Sequence, residues 1–130
     1  MLHVTEEKVT QIKIIDFGFS TALAFTREYV QDQLGQIYFM APEVLENNKH
    51  SNLGDIFALG ATIFYCLNGK LPLETRSGIG SRLKYFKDNA DLKFSDLLNY
   101  KELIPNILIQ ILDKTMRANS ADRYRIGQLI

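Results

Sequence analysis

Between Leu53 and Leu67 the chain reads Leu-Gly-Asp-Ile-Phe-Ala-Leu-Gly-Ala-Thr-Ile-Phe-Tyr-Cys-Leu, with Asp55 as its sole charge. The length and the lack of strand-like alternation make it a helix, and apolar side chains on nearly every face demand burial. Ser51 or Asn52 can cap its start, Asp55 lies in the first turn where the helix dipole favours an anion, and Asn68-Gly69 supplies the stop. Gly60 and Ala61 permit another backbone to come close. The remaining elements are therefore expected to pack around this helix, enclosing it on every side. Its longest apolar stretch, Ile56 to Leu67, has 12 residues and is too short for a membrane span.

The other elements are shorter. Leu2 to Val4 and Gln11 to Ile15 are apolar or alternating runs around the polar turn Glu6-Glu7-Lys8, the pattern of a small β-hairpin. Residues 19–40 show no helical period and read as a long loop. Pro42 suits the first turn of a short helix Pro42 to Glu46 that stops near Asn47-Asn48. An amphipathic segment covers Ser81 to Lys87. Leu103 to Met116 carries a stripe of Ile104, Ile107, Leu108, Ile111, Leu112 and Thr115, and a last short helix starts near Arg125. The expected fold class is thus mainly α, with a β-hairpin at the N-terminus and a central buried helix.

Composition sets limits on function. The 130 residues hold 15 basic and 15 acidic side chains, so no electrostatic field favours nucleic acid and no polybasic arm favours an anionic membrane. Cys66 is the only cysteine, and in its apolar run it reads as a buried, reduced thiol of an intracellular, cytoplasmic protein. No apolar signal region follows Met1. His3 and His50 have no cysteine or carboxylate cluster at ligand spacing, which argues against zinc. Gly78-Ile79-Gly80 lacks the third glycine of a phosphate-binding loop and reads as a turn before a helix.

The chemistry lies in four short motifs. Asp16-Phe17-Gly18 follows the strand-like Ile12-Lys13-Ile14-Ile15; Gly35-Gln36-Ile37-Tyr38-Phe39-Met40-Ala41-Pro42-Glu43 comes next, then Gly54-Asp55-Ile56-Phe57-Ala58-Leu59-Gly60, and last Asp122-Arg123. Any one of them has an ordinary explanation, such as a turn in which Gly18 takes unusual dihedrals. In this order and spacing they resemble the C-terminal lobe of the eukaryotic protein kinase domain, of serine/threonine type, over essentially the whole chain. Residues 1–130 would then be a partial kinase domain. The Gly-rich loop, the strand lysine with its glutamate, and the catalytic His-Arg-Asp loop do not occur in these 130 residues.

The resemblance implies roles for particular residues. Asp16 matches the aspartate that holds magnesium against the ATP phosphates, and Phe17 and Gly18 complete that nucleotide-binding turn as aromatic switch and pivot. Asp32, Gly35, Gln36 and Tyr38 fall in the activation and substrate loop, Asp32 where many relatives carry a phosphorylated residue. Ser20, Thr21, Thr26 and Tyr29 are further hydroxyls of that loop. Ala41, Pro42, Glu43, Asp55, Gly60 and Arg123 match structural positions, Glu43 and Arg123 as a buried ion pair that pins the loop to the helices. No catalytic base is present among these residues.

Three departures bear on activity. Gln36 replaces the threonine whose hydroxyl bridges the catalytic aspartate and lysine, which works against efficient transfer. Phe57 replaces a tryptophan and Tyr124 a proline. Tyr38, Met40 and Phe19 are closer to serine/threonine than to tyrosine kinases. The resemblance implies a parent activity that moves the γ-phosphoryl group of ATP, with Mg2+, to a protein substrate; the chain alone is expected to lack it. The alternative is a non-catalytic kinase-like module that binds a protein partner.

Overall fold

A computed structural model describes residues 2–5, 8–23, 29–31, 36–74 and 78–130. Two strands, β1 (Leu2–Thr5) and β2 (Lys8–Ile12), pair antiparallel with Leu2 opposite Ile12 and an irregularity between His3 and Val4. The hairpin is present, but β2 starts earlier than the alternating run suggests and ends at Ile12 rather than Ile15. The ladder ends at the pair Leu2 and Ile12, and Ile14 and Ile15 join no strand among the described residues. The loop between residues 19 and 40 also holds a strand that its composition hides: β3 (Val30–Gln31), which pairs antiparallel with β4 (Lys49–His50) beyond the loop. A ladder of two residues carries too little pattern to be read from sequence.

The helical body starts at α1 (Pro42–Asn47), with Pro42 at its first position and Asn48 closing it in the left-handed region at φ 52°. Asparagine tolerates that conformation better than most residues because its short side chain can bond locally. Helix α2 (Asn52–Asn68) follows, capped by Ser51, whose hydroxyl accepts from Gly54 N at 3.2 Å, and stopped by Gly69 at φ 75°. Helix α3 (Ile79–Asp88) begins after Gly78 at φ 89°. Two 3-10 turns, Phe94–Leu97 and Lys101–Leu103, lead to α4 (Asn106–Thr115), and two more, Ser120–Asp122 and Ile126–Gln128, finish the chain.

The expected helix over Leu103 to Met116 is divided at Pro105, which caps α4. A proline disfavours helical dihedrals in the residue before it, so Ile104 is extended.

The core gathers on one side of α2. Gly54, Ile56, Phe57, Gly60, Ala61 and Phe64 are buried there. Phe57 meets Phe86 of α3 at 5.8 Å and Phe94 at 6.5 Å between ring centroids, in edge-to-face arrangements that suit the aromatic quadrupole. Against α4, a Cβ added at Gly60 would lie 2.3 Å from Thr115 Oγ1 and 2.6 Å from Met116 Cγ, so only glycine allows the helices this close.

The other side of α2 is open. Asp55, Leu59, Thr62 and Cys66, spaced as one helical stripe, are exposed. Enclosure on every side is therefore corrected to one-sided burial, and Cys66 is an exposed thiol rather than a buried one. An apolar composition states what a face can tolerate; the packing of α1, α3 and α4 decides which face is covered. Among the described residues no helix is long and apolar enough to cross a membrane.

Candidate functional site

Two sets of motif residues occupy different surroundings. Asp16, Phe17 and Gly18 lie in an exposed segment after β2, where Phe17 O accepts from Ser20 N at 3.0 Å and closes a tight turn. Asp16 has φ 63°, a left-handed conformation that aspartate, like asparagine, tolerates better than most residues. Its carboxylate has no hydrogen-bond or ion-pair partner among the described residues. A Cβ on Gly18 would approach Asp16 Oδ1 at 3.3 Å, so a larger residue would crowd the carboxylate. Phe17 is 66% exposed.

The donor set suits a hard cation in part. A carboxylate held in a turn and open to solvent can ligate Mg2+, which takes one or two protein carboxylates and completes its shell with water and phosphate oxygens. No cluster of three metal-ligating side chains occurs among the described residues, so Asp16 could supply one ligand and not a whole site.

The second set is densely bonded. Arg123 Nη1 donates to Glu43 Oε1 at 2.6 Å and Nη2 to Glu43 Oε2 at 2.8 Å, a bidentate pair across 80 positions of sequence. Its remaining donors reach Leu53 O at 2.9 Å, Arg117 O at 2.8 Å and Ala118 O at 3.3 Å. The Arg123 side chain is 0% exposed and its guanidinium lies 5.0 Å from the Phe57 ring centroid. With all five N–H groups bonded, this buried cation ties the start of α1, the first turn of α2 and the segment after α4 into one unit.

Between the two sets, Phe39 N donates to Gln36 O at 3.0 Å and forms the turn that presents Gln36 and Tyr38. Gln36 is exposed, Ala41 is buried, and Pro42 starts α1. Asp55 stands in the first turn of α2; burial around its carboxyl pushes its pKa up, against a smaller opposing effect from His50. Asp32, Gly35 and Thr26 lie outside the described residues.

One contributor was not singled out in the sequence. Arg82 of α3 is 2% exposed, and it donates from Nη1 to Leu73 O at 2.8 Å and from Nη2 to Tyr38 O at 3.1 Å, its guanidinium 5.2 Å from the Tyr38 ring centroid. It braces the Gln36–Phe39 turn from below. Burial lowers its pKa, and its Nε has no hydrogen-bond partner among the described residues. An arginine in a weak amphipathic segment looks like surface charge, and no local signal marks it otherwise.

The sequence model described as "Protein kinase domain" matches residues 1–130. Serine/threonine-protein kinase PrkC of Bacillus subtilis is 32% identical over 127 residues, covering 97% of this chain and 19% of that protein. Probable serine/threonine-protein kinase PknB of Lactococcus lactis is 25% identical over 87% of the chain and 18% of its own length. Serine/threonine-protein kinase ULK1 of Homo sapiens is 29% identical over 87% of the chain and 10% of its length. The chain belongs to the protein kinase family, among relatives of serine/threonine type. It spans about a fifth or less of the length of these curated relatives. The family as a whole uses ATP and magnesium ions.

Proposed function

We propose that residues 1–130 form the helical C-terminal lobe of a serine/threonine protein kinase, which moves the γ-phosphoryl group of ATP to a hydroxyl of a protein substrate. The observation that carries this reading is Asp16, a carboxylate in a left-handed turn, open to solvent and without a competing partner among the described residues. Asp16 would hold Mg2+ against the ATP phosphates, and the metal would neutralise charge on the transferring group when bound. Phe17 and Gly18 shape that turn. Gln36 and Tyr38, with Asp32 and Gly35, would border the protein substrate, and Arg82 would keep the turn at Tyr38 in place. Ala41, Pro42, Glu43, Asp55, Gly60 and Arg123 build the platform beneath. An intracellular, cytoplasmic place of action belongs to the same proposal, since ATP is the donor.

The experiment measures transfer from labelled ATP to a generic serine/threonine substrate. The 130-residue chain alone should show none, because phosphoryl transfer needs several groups positioned together and these residues supply one. In a protein that adds the Gly-rich loop, the lysine and the His-Arg-Asp loop, Asp16→Asn should lower transfer about a hundredfold or more. Unchanged transfer by Asp16→Asn would overturn the assigned role. Transfer by the short chain, abolished by Asp16→Asn, would overturn its incompleteness.

Gln36 favours a second reading, a non-catalytic kinase-like module that binds a protein partner. An amide there cannot serve as the small bridging hydroxyl of the family pattern. The coding sequence upstream of Met1 separates the two: catalytic motifs in frame support the enzyme, and a translation start at Met1 supports the module.

A further inference from the structure

Beside α4 lies a groove of about 590 Å³ that none of the kinase motifs uses. Ile107 and Ile111 of α4, one turn apart, and Leu129 after the last 3-10 turn supply its apolar surface. Lys93, Lys114 and Arg117 supply its basic groups. None of the three has a carboxylate within ion-pair distance among the described residues. Among the described residues Arg117 donates to the carbonyls of Asp113 and Asp91, at 2.7 and 3.4 Å, and Lys114 lies 5.3 Å from the Tyr124 ring centroid. Asp113 is the single carboxylate in the lining, and its Oδ1 accepts from Ser95 N at 3.4 Å.

We propose that this groove docks an acidic linear segment of a partner protein, in which aspartate or glutamate side chains flank one or two leucine-sized side chains. Charge complementarity selects this occupant. Lys114 and Arg117, together with Lys93, whose charge also acts on the nearby Asp96 carboxylate, outnumber the single carboxylate of the lining, so the groove itself is net positive in a chain whose net charge is zero, while the surface between them is aliphatic. A wholly apolar segment would leave the cations unanswered, and a wholly acidic one would leave Ile107, which is 62% exposed, in water. The volume lies in the range of ordinary ligand clefts. Phosphotransfer is not assumed, so the proposal stands or falls apart from the function proposed above.

The test is fluorescence anisotropy with the 130-residue chain and a short labelled peptide in which glutamates flank a central pair of leucines. Binding should weaken about tenfold in Lys93→Glu/Lys114→Glu and on raising salt, as exposed charge pairs do. Ile107→Asp should weaken it by a similar factor without touching those cations. Arg117 is left intact because it bonds two backbone carbonyls, and circular dichroism of each variant establishes that the fold is retained. Equal binding by the wild type and both folded variants would overturn the proposal, as would equal binding of a peptide with lysines in place of glutamates. Absence of peptide binding together with capture on phosphatidylserine vesicles would overturn it in favour of a membrane surface.

Discussion

The helical body from Ala41 to Tyr124 and the arm from Lys8 to Leu23 are both rich in apolar residues, yet they use them in opposite ways. In the body, Phe57, Phe64 and Leu112 are fully buried and Arg123 has every donor satisfied. In the arm, Ile12, Ile14, Ile15, Phe17 and Phe19 are each more than half exposed, Ile14 at 83%. Composition is similar; partners are not. Stability is thus expected to reside in the body, while the arm carries the carboxylate with the clearest chemical use.

Breaking the body at its charged centre should have the largest effect. Glu43→Ala leaves the Arg123 guanidinium buried without its counter-ion, a loss of roughly 3 to 5 kcal/mol that denaturant unfolding would measure. A loss under 1 kcal/mol would mean that the pair is a surface contact and the contrast with the arm is false. Gly60→Ala comes next. The added methyl must displace Thr115 or Met116, and overpacking of this kind costs about 1 to 3 kcal/mol, read as a lower midpoint at unchanged slope.

In the arm the expectation reverses. Ile14→Ser with Phe19→Ser should change unfolding free energy by less than about 0.5 kcal/mol, because neither side chain is buried. The same change should reduce association of the chain at high concentration, since a run of exposed apolar side chains is an adhesive surface. Sedimentation velocity on wild type and variant tests this. A wild type that stays monomeric at high concentration would show that the arm is not adhesive.

The smallest effect concerns pH. The hydrogen bond from Lys87 holds the Glu46 carboxyl below its ordinary pKa, and that from Lys101 does the same for Asp96. A carboxylate with a depressed folded pKa stabilises above its unfolded pKa, and the contribution fades as pH falls through about 4 and below. Both carboxylates are exposed, so the slope should be shallow and shrink in salt. Lys87→Met with Lys101→Met should flatten the acid limb of the stability profile further.

The local devices of the fold were legible along the chain. The Ser51 cap, the Gly69 stop, Pro42 at the start of α1 and the motif order all depend on neighbours within a few residues, and such neighbours are written next to one another. Residues far apart could be paired only through family likeness, as with Glu43 and Arg123, or not at all, as with Arg82 and Tyr38. Pro105 was a local signal that an otherwise regular stripe concealed.

By itself the sequence determined that a long apolar helix would organise this protein and that Asp16 would stand in a turn ahead of it. Only the tertiary structure decided which stripe of that helix is covered, that Cys66 faces outward, and that Lys93, Lys114 and Arg117 converge on one groove. The reason is physical: caps and turns are fixed by bonds that close over three or four residues, whereas burial and ion pairing depend on surfaces that meet only after the chain has folded.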